Sequence, residues 1–343
     1  MNILSKLVLG IVFFGGMVGS SFAADVTLRY NQWFPSQHWS QKEGLYKYFE
    51  EIEKVTEGRV KVRPSAKPLA PPTKNYQAVL SGIADIAWGP HGYTPGAFLL
   101  TEMVEFPFLT YDAGVSSRAY WRTYKQFFEP TGMQKGVVTL AMHVTSGGNI
   151  HMRTEAILKP EDFSGQKMRV QTSVMGGALK SLGAVPISGS LPELREFLSR
   201  GVIDGTMLSD ELLYGFKVHK YIKKVTRIPG GIFTNSAFVI MNKKKWAIIS
   251  EKDRLAIMEI SGEKLSERMG RLWHENDIEA REKLKKSLGG DYQVASKSLI
   301  KAIDKSFEEG RKSWFEKAKE EGIDGQQALD YYQEQVKNLG PQS

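Results

Sequence analysis

The stretch GQKMRV, residues 165–170, and its continuation QTSVMGGALKSLGAVPI, residues 171–187, decide how this chain is organised. KMRV reads as a strand, the glycine- and alanine-rich run after it as a short helix, and VPIS as another strand. An order of strand, helix and strand that recurs argues for an α/β fold with crossover helices. The same stretch poses a chemical question, because Arg169 stands between apolar Met168 and Val170. An arginine so placed either snorkels to the surface or awaits an anion.

Working outward, the pattern repeats. VTLRYNQW (26–33) alternates like a strand, and Leu45, Tyr48, Phe49, Ile52 and Val55 form one face of a helix that Gly58 ends. RVKVRP resumes as a strand, NYQAVLSGI is helical, and ADIAWGP is a buried strand. Pro95 and Pro107 forbid one continuous helix over residues 91–109. After the helix AYWRTYKQFFEP and the strand GVVTLAMHV, the segment TSGGNIHMRT (145–154) offers Gly147 and Gly148 either as a hinge into a second unit or as a tight turn. That unit holds the strand at Arg169, the helix LPELREFLSRG and the strand VIDGTML. From Lys243 the chain is mainly helical, with Met258, Leu265, Met269 and Leu272 as a core-facing stripe. SLIKAIDKSFEEGRKSWFEKAKEEG (298–322) reads as a second long helix.

The first residues are set apart from this pattern. MNILSK, the apolar run LVLGIVFFGGMV and SSFAAD have the form of a signal peptide over 1–23, cut near Ala23 or Ala24. The competing reading is an uncleaved anchor helix. Roughly 320 residues then remain for two domains. The chain has no cysteine, hence no disulfide, and its formal charge is +8. The excess lies in scattered helical faces and short runs such as NKKKW, a solvated pattern rather than a nucleic-acid footprint.

Catalytic patterns are missing. The six histidines make no zinc helix, although His143 and His151 flank the hinge. Ser164 and Lys167 fit Ser-x-x-Lys without its partner motifs, and no nucleophile elbow or phosphate loop occurs. No cofactor is expected. What remains are aromatic and polar residues at predicted strand ends, where α/β folds place ligands. These are Trp33, Phe34 and His38; Trp88, His91 and Tyr93; Arg169, Gln171 and Thr172; Met207, Ser209, Asp210 and Glu211; and Asn235. Together they suggest a cleft for a small polar or aromatic molecule.

The succession GQKMRV, LGAVPI and ELREFLSRGVIDG resembles the signature of TRAP-transporter periplasmic solute-binding proteins of the dicarboxylate-binding (DctP) type. EEIEKVTEGRVKV, SGIADIAWGPHGYTPG, EFPFL and AFVIMNKKKW match further elements in order over nearly the whole mature chain. The resemblance implies a two-lobed periplasmic-binding-protein-like α/β fold with hinge-crossing strands and a long C-terminal helix bracing both lobes. Lobe I would take residues 24–147 and about 261–300, lobe II 148–260, and 301–343 would brace them. It also implies a periplasmic transport subunit, not an enzyme, that captures an organic acid anion and delivers it to TRAP-type membrane permease subunits. A receptor-directed sensor or a periplasmic enzyme on the same fold are the alternatives. By the same analogy Arg169 grips a ligand carboxylate and Asn235 supplies a polar contact. The crossing segment here lacks the second arginine of some members, which speaks against a sialic-acid-like ligand. The loop TMLSDELLY lacks the proline often found there. Trp33, Trp88 and Tyr93 favour a monocarboxylate with an apolar or aromatic body.

Overall fold

The computed structural model describes residues 26–109 and 112–340, so the expected leader and its cleavage point lie outside the described residues. Within them, no helix is long and apolar enough to cross a membrane. Eleven strands among the described residues form two mixed sheets. In chain order they are β1 (Val26–Tyr30), β2 (Val60–Pro64), β3 (Ile86–Pro90), β4 (Val137–Val144), β5 (Asn149–Met152), β6 (Lys167–Val170), β7 (Val185–Ser188), β8 (Gly205–Leu208), β9 (Lys224–Arg227), β10 (Ser236–Asn242) and β11 (Tyr292–Val294).

The first sheet has the order β2-β1-β3-β10-β4, with β1 parallel to both neighbours and β10 antiparallel to β3 and β4. β1 alternates buried and exposed residues, whereas all seven residues of β10 are buried. A strand enclosed on both faces needs a nearly unbroken apolar run, and SAFVIMN supplies one. The second sheet has the order β11-β9-β5-β8-β6-β7, with β6 parallel to β7 and β8. The two sheets are the cores of two lobes. Their membership corrects the boundaries drawn from sequence. Residues 236–242, assigned to lobe II, hydrogen-bond into the first sheet, and 292–294, assigned to lobe I, pair with β9 in the second.

Two segments, 145–148 and 231–235, cross between the lobes side by side. Thr145 N–H donates to the Asn235 carbonyl at 3.1 Å, Gly148 N–H to Phe233 at 2.8 Å, and Ile232 N–H to Gly148 at 2.9 Å. Gly147 and Gly231 touch backbone to backbone, since a Cβ on Gly231 would lie 2.6 Å from the Gly147 Cα. Gly231 also has φ +78°, which side chains rarely adopt.

The helix Glu263–Leu288, 26 residues long, spans the junction. It packs on the helix Ala113–Thr123 and β4 in lobe I, and on the helix Asp210–Gly215 and β11 in lobe II. At its start Glu263 receives Arg118 at 3.0 Å and Arg122 at 2.9 Å, an arrangement the positive helix end also favours. Its buried stripe is Leu265, Met269 and Trp273. Met258, expected in that stripe, is exposed on the preceding helix, because Gly262 (φ +60°) separates the two. The expected helix over 298–322 is likewise two, Lys297–Ser306 and Glu308–Glu320, joined at Phe307. The second of these touches both the Leu99–Glu105 turn of lobe I and the helix Ser173–Ser181 of lobe II, and the last helix, Gly325–Leu339, returns to Ala113–Thr123.

Beside the crossing segments, Glu105 is buried and accepts from Ser236 Oγ at 3.0 Å and Ser236 N at 3.3 Å. Burial pushes its carboxyl up to about 8. A folded-state pKa above the unfolded one gives stability that is full below about 4.5 and lost as pH rises through 8. Glu105→Gln keeps an acceptor for Ser236 but cannot ionise. Its stability relative to wild type should therefore rise by up to about 1.4 kcal/mol per pH unit across that window. Urea denaturation at intervals from pH 4.5 to 8 reads this directly, and a flat difference curve would refute it.

Candidate functional site

Strand ends from both lobes converge on a small cavity. Lobe I supplies Trp33 and Phe34 beyond β1, Trp88, Pro90 and Tyr93 around the end of β3, and Ala237 on β10. Lobe II supplies Gln171 after β6, Leu191 after β7 and Leu212 after β8. Trp273 enters from the bracing helix, and Thr145 and Asn235 from the crossing segments. Five of the twelve lining residues are aromatic. Trp33 and Trp88 stack at 5.4 Å with an interplanar angle of 13°, and Phe34 meets Trp88 edge-on at 5.0 Å.

These rings are fixed by hydrogen bonds as well as packing. Trp33 Nε1 donates to the Trp88 carbonyl at 2.8 Å, and Trp88 Nε1 donates to His143 Nε2 at 2.8 Å. An indole N–H can only donate, so His143 Nε2 carries no hydrogen and its Nδ1–H points to the Val144 carbonyl at 3.3 Å. Burial holds His143 neutral, with its pKa pushed down to about 4.

Arg169 answers the question its sequence position raised. It does not snorkel, being 1 % exposed. Its Nε donates to the Gly189 carbonyl at 3.0 Å, and its Nη2 to Gln171 Oε1 at 3.3 Å and the Tyr93 hydroxyl at 3.4 Å. All three partners are neutral, and Arg169 forms no ion pair among the described residues. Burial lowers its pKa, opposed by Tyr93 and by Glu193 at the start of the next helix. Because Tyr93 and Gln171 are cavity walls, the guanidinium stands behind one polar corner of a largely apolar chamber. On the outer side a wider cleft opens to solvent between Lys74, Gly92, Ser190 and Glu193, and Tyr93 and Gln171 line it too.

Of the residues singled out from sequence, Trp33, Phe34, Trp88, Tyr93, Gln171 and Asn235 line the cavity, with Arg169 next to it. Asn235 is buried, and its Oδ1 has no hydrogen-bond partner among the described residues. The others are placed elsewhere. His91 packs between Phe98 and Phe238, and burial pushes its pKa down to about 3. Met207 is in the β8 core opposite Ile150, and buried Ser209 precedes the helix Asp210–Gly215. Thr172 caps the helix Ser173–Ser181 by accepting from Met175 N at 3.2 Å.

Asp210, Glu211 and His38 form a buried polar layer behind the cavity. Asp210 takes His151 Nε2 at 2.8 Å, Asn149 at 2.9 Å and the Tyr292 hydroxyl at 3.1 Å. Burial raises the Asp210 pKa, but the bonds from His151 and Asn149 outweigh it and hold the carboxyl below its ordinary range. Ser40 N–H donates to His38 Nδ1 at 3.2 Å, so the hydrogen of that ring is on Nε2, which donates to Glu211 Oε2 at 3.2 Å. His143 and His151 thus serve different sheets and do not meet as a pair. No cluster suited to a metal ion occurs among the described residues.

Residues 33–318 match the family described as bacterial extracellular solute-binding protein, family 7, the DctP family. This chain belongs to that family. Family 7 relatives include the outer membrane transporter protein TsaT of Comamonas testosteroni, 31 % identical over 92 % of this chain and 94 % of that one. A TRAP periplasmic solute-binding protein from Bordetella bronchiseptica, solved with bound (R)- and (S)-mandelate, is 33 % identical. It superposes with a TM-score of 0.87 over 92 % of this chain and 100 % of its own. A TRAP solute-binding protein from Rhodoferax ferrireducens with copurified benzoate is 25 % identical, with a TM-score of 0.84 over 92 % and 98 % of the two chains. The two-lobed fold and the solute-binding class inferred from the motifs are those of the family.

Sequence reasoning about this family 7 protein missed Pro90, Thr145, Leu191, Leu212, Ala237 and Trp273. Trp273 was accessible in principle, since extending Leu265 and Met269 by four residues reaches it. The other five carry no comparable local signal.

Proposed function

We propose that this protein captures an aromatic monocarboxylate between its lobes in the periplasm and delivers it to TRAP-type membrane permease subunits. One observation carries the ligand class: a buried guanidinium with only neutral partners borders a chamber walled by indoles. A planar fork of donors suits a carboxylate, which would supply the missing negative charge, and stacked aromatic walls suit a flat apolar body. The relatives with mandelate and benzoate support the same class. The leader-like residues 1–23 support export, and the family supports the permease as partner.

Binding would draw the lobes together about the crossing segments, since a ligand touching both favours the closed state. A thermal-shift screen of aromatic and aliphatic acids tests the assignment. A ligand at 100 times its Kd adds about 2.7 kcal/mol of stability. Aromatic monocarboxylates should give the largest shifts and should make the protein more compact in solution scattering. Stronger shifts from aliphatic dicarboxylates would overturn the ligand class.

A further inference from the structure

Resting on the reading of the interlobe chamber as the ligand site, we infer that Tyr93 is the bolt of that chamber, a lobe I side chain whose hydroxyl fastens lobe II and sets how fast ligand enters and leaves. Tyr93 ends the turn His91–Tyr93 after β3, so its backbone belongs to lobe I. Both hydrogen-bond partners of its hydroxyl are across the cleft: Leu191 N–H donates to it at 2.7 Å, and Arg169 Nη2 at 3.4 Å. A tyrosine that served only its own core would find its hydroxyl partners there. Its ring instead leans on Trp33 at 6.1 Å while the hydroxyl reaches the other lobe.

Two further observations place it at the passage. Its side chain lines both the inner cavity and the outer cleft, a position shared with Gln171 from the opposite lobe. Tyr93 and Gln171 therefore form a partition between the two spaces. Beside Tyr93, Gly92 approaches lobe II so closely that a Cβ would lie 2.4 Å from Thr172 Cγ2. A Cβ there would have to push aside Thr172, the cap of the helix Ser173–Ser181, so glycine keeps the turn near enough for the hydroxyl to reach Leu191. The Leu191 bond needs no ligand, whereas the Arg169 bond occupies a donor that a carboxylate would claim. Opening thus costs the Leu191 bond in either state, and entry also displaces the hydroxyl from Arg169.

Tyr93→Phe removes the bolt and keeps the wall. In the ligand-free variant, amide exchange at Leu191 should accelerate about 3- to 10-fold, the factor expected for one hydrogen bond. In stopped-flow tryptophan fluorescence with phenylacetate as probe, kon and koff should both rise, koff by about the same factor. Gly92→Ala, a wedge between the lobes, should also expose the Leu191 amide and enlarge the ligand-free protein in scattering. Unchanged Leu191 exchange in Tyr93→Phe, with koff alone raised, would make Tyr93 an ordinary ligand contact and overturn the proposal. Should phenylacetate fail to bind wild type while Leu191 exchange still responds, the bolt stands and the aromatic-acid reading falls. If phenylacetate binds and Leu191 exchange does not respond, the aromatic-acid reading stands and the bolt falls.

Discussion

Arg169→Ala is expected to weaken binding of the cognate acid by 30-fold or more. Removing one side of a desolvated charge pair costs about 2–5 kcal/mol, and Arg169 is as fully desolvated as the tryptophans around it. Arg169→Lys keeps the charge but loses the planar fork, so it should recover only part of the loss. The amide analogue of the acid should bind wild type poorly and be hurt far less by either substitution. That non-additivity isolates the ion pair from general damage. A second consequence follows from the neutral partners of the guanidinium. Without a carboxylate beside it, the buried charge has only neutral hydrogen-bond partners and the more distant Glu193, and such a charge is costly. Arg169→Met should therefore raise the denaturation midpoint of the ligand-free protein while removing binding, two effects of opposite sign. If acid and amide lose affinity equally and the ligand-free protein is weakened, Arg169 is a structural residue.

The second large effect concerns Trp88, which is both wall and core. Its ring stacks against Trp33, His143 and Trp273, and it is 3 % exposed. Trp88→Ala opens a hole that the two lobes cannot readily close and leaves His143 Nε2 without its donor. A loss of about 3–5 kcal/mol in folding stability is expected, together with weaker ligand binding. Trp88→Phe fills most of the hole and removes only the N–H, so about 1–3 kcal/mol should go, with binding largely retained. Urea denaturation and calorimetric titration of both variants separate the two contributions. A Trp88→Ala protein that loses under about 1 kcal/mol of stability would contradict this role for the aromatic stack.

The strength and limit of the sequence reading show in the same residues. Periodicity located the strands around Arg169 and the aromatic ends of β1 and β3, because these signals are local. The rule that ligands gather at strand ends then brought Trp33, Trp88, Tyr93, Gln171 and Asn235 to one neighbourhood. It did not tell cavity from backing layer. Asp210 and Glu211 begin the helix after β8, and only the packing of that helix on the brace turns Leu212 toward the chamber. The fate of β10 was hidden for a related reason. SAFVIMN is apolar enough for either sheet, and its choice depends on partners more than 90 residues earlier. Charge patterning was similarly silent on Arg169, whose burial is visible only once Gly189 and Tyr93 close around it.

The insertion of β10 between β3 and β4 sets an order in time. As the chain is made from its N-terminus, β1 to β4 are complete by residue 144, yet β3 and β4 do not pair with each other and wait for residues 236–242. Five of the six strands of the second sheet are finished by residue 227, with only the edge strand β11 still to come. The half whose strands begin first thus cannot close until nearly all of the second sheet has been made. Until residue 242 arrives, it carries two open strand edges, the surfaces most prone to pairing with a stranger.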